Sequence, residues 1–161
     1  MRVELRWPLV VEGTAAPLPR ALVLDTNIVL DLLVFNDPAM IPVRQCLREG
    51  SLRWVATRPM HDELERVLAY PQIAKRVAFY DLTQAQVLQA YAQQVQWQEV
   101  PARVPAVCKD PDDQKFIDLA ATCQAVLLSK DKAVLCMRKR LLLRHDAHVA
   151  TTLVVAPMVA P

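Results

Sequence analysis

Two runs of unbroken apolar residues, 21–24 in "ALVLD" and 125–128 in "AVLLS", constrain the fold of this 161-residue chain more than any other feature. A strand with one wet face alternates polar and apolar side chains. A run without alternation is a strand buried on both faces, at home in a parallel sheet covered by helices. "LRWVAT" (52–57) reads as the second strand, "QEVPA" (98–102) as the third and "HVATTLVV" (148–155) as the last. An edge strand is expected around residues 2–7.

The segments between the strands carry helical signals. "NIVLDLLVF" and "MIPVRQCLREG" read as helices, the second stopped by Gly50. Pro59 opens "PMHDELERVLAY", where Met60, Leu64, Val67 and Leu68 recur at helical spacing until Pro71 ends the run. Thr83 and Gln86 form a capping box at the head of "TQAQVLQAYAQQVQW". "DPDDQKFIDLAATCQA" begins a helix with Asp110 as N-cap and Pro111 in the first turn, and "KDKAVLCMRKRLLL" is a helix after the fourth strand. This alternation implies right-handed βαβ crossovers in an open α/β sandwich. One domain over residues 21–156 is expected, preceded by an extension over 1–20.

Composition excludes several function classes. The only glycines, Gly13 and Gly50, leave no G-x-G-x-x-G dinucleotide loop and no Walker phosphate loop. Cys46, Cys108, Cys123 and Cys136 are scattered, without C-x-x-C pairs or histidines at zinc spacing, so reduced packing thiols are expected. No apolar run reaches the ~18 residues of a membrane span. The opening segment lacks a continuous apolar stretch and carries Glu4 and Glu12, unlike a signal peptide. A cytoplasmic protein with no membrane partner is therefore expected. The net charge of +2 is nearly neutral but uneven: acids gather at 110–113, and 137–145 is basic.

Asp25 follows the first buried strand and Asp131 follows the fourth. In open α/β sheets ligands bind beyond the C-terminal strand ends, at the crevice where strand order reverses. If these two strands flank that reversal, the acids face one another. Glu63, early in the helix after the second strand, and Asp113, in the first turn of the helix before the fourth, start at the same edge. Asp62 and Glu65 are also available on the first helix, and Asp110 and Asp112 are alternates for Asp113. Two carboxylates ~4 Å apart repel by roughly 4 kcal/mol at an effective dielectric of ~20, so a converging set needs protons or a cation. An all-oxygen donor set suits Mg²⁺ or Mn²⁺ and phosphodiester hydrolysis.

With these motifs in hand, the chain resembles the PIN-domain family of metal-dependent ribonucleases, including toxin components of bacterial toxin-antitoxin systems. The matching stretches are "LVLDTNIVL", "HDELERVL", "KDPDDQKFIDLA" and "LLSKDKAVL", in the family's order over residues 21–135. The fourth reads Ser-Lys-Asp where a Thr-Gly-Asp type of turn is common. The resemblance implies a three-layer α/β/α fold with a parallel sheet of about five strands in order 3-2-1-4-5, and cleavage of single-stranded RNA. It implies Asp25, Glu63, Asp113 and Asp131 as the catalytic, metal-holding acids, supported by Thr26, Asn27 and Ser129. An antitoxin partner and a homodimer are further implications.

Other readings compete. A haloacid-dehalogenase-like phosphatase also places an Asp after its first strand, but requires a second acid where Asn27 stands. A receiver-like domain expects an acid pair after that strand. A catalytically inactive PIN-like interaction domain would keep the fold without the chemistry. Arg138, Lys139, Arg140 and Arg144 are candidates for RNA phosphates, against a solvated helix face. Asp31, Asp37, Asp81, Asp118 and Asp146 read as surface or capping acids.

Overall fold

The computed structural model describes residues 2–155. In chain order the strands and α-helices are β1 (Glu4–Trp7), β2 (Val10–Val11), β3 (Thr14–Ala15), β4 (Arg20–Leu24), α1 (Thr26–Leu33), α2 (Ile41–Glu49), β5 (Leu52–Ala56), α3 (Arg58–Leu68), α4 (Pro71–Phe79), α5 (Gln84–Gln94), β6 (Gln96–Trp97), α6 (Gln114–Cys123), β7 (Val126–Leu128), α7 (Lys132–Leu135), α8 (Arg138–His145), β8 (His148–Ala150) and β9 (Thr152–Val155). Five parallel strands form the central sheet in the order β6-β5-β4-β7-β8. Numbered along the chain within that sheet, this is 3-2-1-4-5, and helices on its two faces complete a three-layer α/β/α sandwich.

The unbroken apolar runs sit where both faces are covered. Leu22, Val23, Val126, Leu127 and Leu128 are all fully buried in β4 and β7. From β4 the chain steps outward through β5 to β6, then returns to the other side of β4 as β7. The β4/β7 boundary is therefore the point where strand order reverses, and its register pairs Leu24 with Leu128. Asp25 and Ser129 leave the sheet side by side, with Asp25 N–H donating to the Leu128 carbonyl at 3.0 Å.

Local signals account for most helix ends. Gly50 caps α2 in the left-handed region (φ +80°), and Thr83 and Gln86 form both hydrogen bonds of the capping box on α5. Four details differ from the sequence reading. The third strand is Gln96–Trp97 rather than 98–102: Val95 ends α5 in an extended conformation and leads straight into the sheet, while Pro101 and Pro105 lack the N–H a ladder requires. Pro71 ends α3 but also starts α4, since Tyr70 is extended (ψ 133°) and proline is well suited to a first helical position. The helix expected after the fourth strand breaks at Cys136 and Met137 into α7 and α8. The last strand is two strands: β8 joins the central sheet, and after Thr151 the chain turns away as β9.

The N-terminal segment packs on that diverted end. β1 runs parallel to β9, from Glu4 opposite Thr152 to Trp7 opposite Val155. Thr151 fixes the junction: its N–H donates to the Val3 carbonyl at 2.8 Å and its Oγ1 accepts the Val3 N–H at 3.0 Å. Trp7 is buried in the main core and its indole N–H donates to Ser51 Oγ at 3.2 Å. Replacing a buried Trp with Ala typically costs about 3 kcal/mol or more. Trp7→Ala is expected to lower the thermal midpoint by roughly 6–10 °C in a differential scanning measurement; an unchanged midpoint would show that the N-terminal segment adds nothing to the core.

Candidate metal centre

The acids beyond the β4 and β7 ends are organised by one hydroxyl. Ser129, fully buried, donates from Oγ to Asp25 Oδ2 at 2.6 Å and accepts the Asp131 N–H at 3.0 Å. Asp25 precedes α1 yet makes no N-cap side-chain hydrogen bond to its first turn, so an ordinary capping role does not explain it. Burial holds its carboxyl above the usual carboxylate range; the Ser129 hydroxyl and the Thr26 backbone pull it down, and the charges of Glu63 and Asp131 push it further up.

Asp110, Asp113 and Asp131 each bring one carboxylate oxygen into a group whose members lie within 4.8 Å of one another. Two of them are helix caps as well. Asp110 Oδ1 accepts the Asp112 N–H at 3.0 Å in the 3₁₀ turn Pro111–Asp113, and Asp131 Oδ1 accepts the Ala133 N–H at 2.9 Å at the head of α7. Capping occupies Oδ1 in each case, so it does not compete with a ligand at Oδ2. Asp113 differs: it is only 7% exposed, and its Oδ2 has no hydrogen-bond partner among the described residues. Its pKa is pushed up to about 8, first by burial, then by contact with the Asp131 carboxylate and the charges of Asp25, Asp131 and Asp110.

Glu63 reaches the same edge from α3 but stands apart from the trio. Its Oε2 accepts the Thr26 hydroxyl, and its Oε1 accepts Lys115 Nζ at 2.8 Å. Thr26 is therefore a supporting residue for Glu63, and Ser129 for Asp25 and Asp131. Asn27 is exposed in the first turn of α1, and its side chain makes no hydrogen bond among the described residues. Asp112 contributes its backbone rather than its carboxylate: its carbonyl accepts Lys115 Nζ.

Several residues have roles that the sequence reading did not give them. Lys115 is one: it stands in the run "DPDDQK", two positions beyond Asp113, and only the fold shows that it reaches Glu63. Asp31 is a buried acid on a helix whose neighbours are apolar all round, and not the surface or capping acid expected: Lys130 Nζ meets its Oδ2 at 2.6 Å. Asp118 is likewise engaged, accepting the Val104 N–H at 3.1 Å and Gln114 Nε2 at 2.9 Å. Gln114 binds the Ala106 carbonyl and the Cys108 N–H as well, so α6 clamps the irregular segment that leads to Asp110. The four cysteines are free; Cys46 and Cys108 are buried, Cys123 is half-buried, and Cys136 is exposed rather than packed.

The basic run lies on α8. Arg138 is half-buried, while Lys139, Arg140 and Arg144 are exposed. The helix is followed by Asp146, whose carboxylate pairs with Arg20 at 3.4 Å; Arg20 is the first residue of β4, at the edge of the sheet opposite Asp25. A five-residue strand spans about 17 Å, so Arg144 lies far from the acids.

The carboxylates satisfy the chemistry of a hard divalent cation: an all-oxygen set, mutually repulsive, with one buried oxygen unpartnered. The PIN-domain family profile matches residues 21–133, and the chain belongs to that family. No curated protein matches the chain in sequence. Among solved structures, a chain of VapBC2 from Rickettsia felis bound to a DNA fragment from their promoter superposes with a TM-score of 0.54 at 10% identity, covering 80% of this chain and 96% of that one, a likeness of fold. Family membership sets aside the dehalogenase-like and receiver-like alternatives. Among the described residues no single helix is long and apolar enough to cross a membrane.

The raised pKa of Asp113 has a signed consequence for stability. In the unfolded chain an Asp loses its proton near pH 4, while folded Asp113 keeps it to about pH 8. Between these values the folded state binds more protons, so its stability falls as pH rises; the cost is absent below pH ~4 and complete above ~8. In EDTA, Asp113→Asn is expected to raise the thermal midpoint at pH 8 by roughly 2–6 °C relative to the parent, with the gain shrinking toward pH 4. A pH-independent difference would show that charge in the cluster does not limit stability.

Proposed function

We propose that this chain is a Mg²⁺- or Mn²⁺-dependent endoribonuclease that hydrolyses single-stranded RNA and serves as the toxin of a toxin-antitoxin pair. The observation that carries this proposal is the unpartnered, buried Asp113 Oδ2 inside a carboxylate cluster at the strand-order reversal. Burying a carboxylate oxygen without a partner is costly, and a ligand that completes it repays the cost. Asp110, Asp113 and Asp131 would hold the ion, with Asp25 beside them.

A bound divalent ion would supply Lewis acidity and charge neutralisation at a phosphodiester. Asp25 is held by the Ser129 hydroxyl rather than free to rotate into solvent. Its raised proton affinity suits a group that takes a proton from the attacking water. Hydrolysis then forms one bond from the water oxygen to phosphorus, breaks one P–O ester bond and delivers a proton to the leaving oxygen. Glu63 and Thr26 keep α3 and α1 in register beneath the site.

The toxin role is supported by the family and by the likeness in fold to VapBC2, the proteins crystallised on a fragment of their own promoter. An antitoxin partner, a homodimer and a cytoplasmic location belong to the same proposal. The exposed Lys139 and Arg140 on α8 are proposed to meet RNA phosphates outside the cleavage site, at low energy per contact.

Purified protein is expected to cut mixed-sequence single-stranded RNA with Mg²⁺ or Mn²⁺ and not with EDTA. Asp25→Asn and Asp131→Asn are each expected to reduce the rate at least about 100-fold, the scale set by losing one preorganised electrostatic group. Metal-independent cutting, or folded protein that never cuts with either ion, would favour an interaction domain without catalysis.

A further inference from the structure

The five acids at the sheet edge are not equivalent. Both Glu63 oxygens are occupied, one by the Thr26 hydroxyl and one by the Lys115 ammonium. The Asp113 Oδ2 accepts no hydrogen bond among the described residues. Lys115 is itself held: its Nζ also donates to the Asp112 carbonyl, lies 5.1 Å from the centroid of the Phe116 ring, and projects from the first turn of α6, which follows Asp113 directly. The lysine side chain is 22% exposed and the Glu63 side chain 16%, so neither is a freely rotating surface group.

We propose that Lys115 is a built-in second cation: by holding Glu63 it limits the carboxylate site to one divalent ion, and makes Glu63 a positioning residue rather than a metal ligand. This proposal rests on the nuclease function above and specifies its metal stoichiometry. Two features of the geometry support it. A divalent ion at Glu63 would have to displace an ammonium at 2.8 Å and then remain beside it, where like charges repel across a partly desolvated gap. Asp110, Asp113 and Asp131, by contrast, have no lysine or arginine pairing with them among the described residues, although one carboxylate oxygen of each lies within 4.8 Å of the others. A two-metal nuclease site uses a second ion to neutralise substrate and leaving-group charge. Here Lys115 sets one fixed positive charge on Glu63.

Titration of Mn²⁺ into the full chain, followed by calorimetry and by the loss of free-Mn²⁺ electron paramagnetic resonance signal, tests this without reference to activity. The parent protein is expected to bind one Mn²⁺ per chain. Lys115→Met is expected to bind two, because Glu63 is released as a donor, and the double variant Lys115→Met with Glu63→Gln returns to one. Lys115→Arg keeps the cation and is expected to stay at one. Glu63→Gln alone is expected to change the affinity of the single ion by less than about threefold; a loss of about tenfold or more, the effect of removing a group that serves a bound metal, would overturn the proposal. This arm stands even if Lys115→Met does not fold. Two ions bound by the parent, or one ion bound by folded Lys115→Met, would also overturn it while leaving the nuclease function intact. No Mn²⁺ bound by the parent would overturn the metal-dependent function itself.

Discussion

Everything at the functional edge depends on holding several negative charges together in a partly dry place, and a single hydroxyl makes that possible. Ser129 Oγ donates to Asp25 and accepts from the Asp131 backbone, joining the end of β4 to the end of β7 across the strand-order reversal. The sheet register brings Leu24 opposite Leu128, so the next residue of each strand stands at the same height. Buried apolar strands fix this register, because a slip by one residue would turn every side chain to the opposite face. The core thus sets the separation of the two strand ends from which Asp25 and Asp131 reach the site.

Charge compensation around the edge is selective. Asp31 has Lys130 and Glu63 has Lys115, each at hydrogen-bond distance, whereas Asp25, Asp110, Asp113 and Asp131 have no cationic partner among the described residues. A structure that only needed to survive its buried acids would pair all of them. Two of these, Asp110 and Asp131, also accept a backbone N–H at Oδ1, which fixes their positions and leaves an oxygen for a ligand. Preorganisation of this kind lets a cation bind without rearranging its donors.

The strands, their order of burial and the caps were legible in the sequence because they depend on local chemistry: unbroken apolar runs, a capping box at Thr83, a glycine at position 50. Pro71 misled, since proline both stops one helix and starts the next, and only the extended Tyr70 distinguishes the two. The split of residues 148–155 between two sheets was not readable either, because Thr151 turns the chain by bonding to Val3, almost the whole chain away. At the site, the acids announced themselves by their places after strands and in first turns. The lysines did not: Lys115 and Lys130 look like ordinary surface cations until the fold shows which carboxylate each can reach. Asp110 was readable both as a cap and as an alternate to Asp113, and the fold brings one of its carboxylate oxygens within 4.8 Å of one from Asp113 and one from Asp131.

The most direct measurement is a crystal of this protein grown with Mn²⁺ and recorded at a wavelength where manganese scatters anomalously. A single anomalous peak is expected in contact with Asp113 Oδ2 and an oxygen of Asp110 or Asp131, with Lys115 still on Glu63. A well-ordered site with no peak, or a peak coordinated by Glu63 with Lys115 displaced, would contradict the assignment of Asp110, Asp113 and Asp131 as the metal centre.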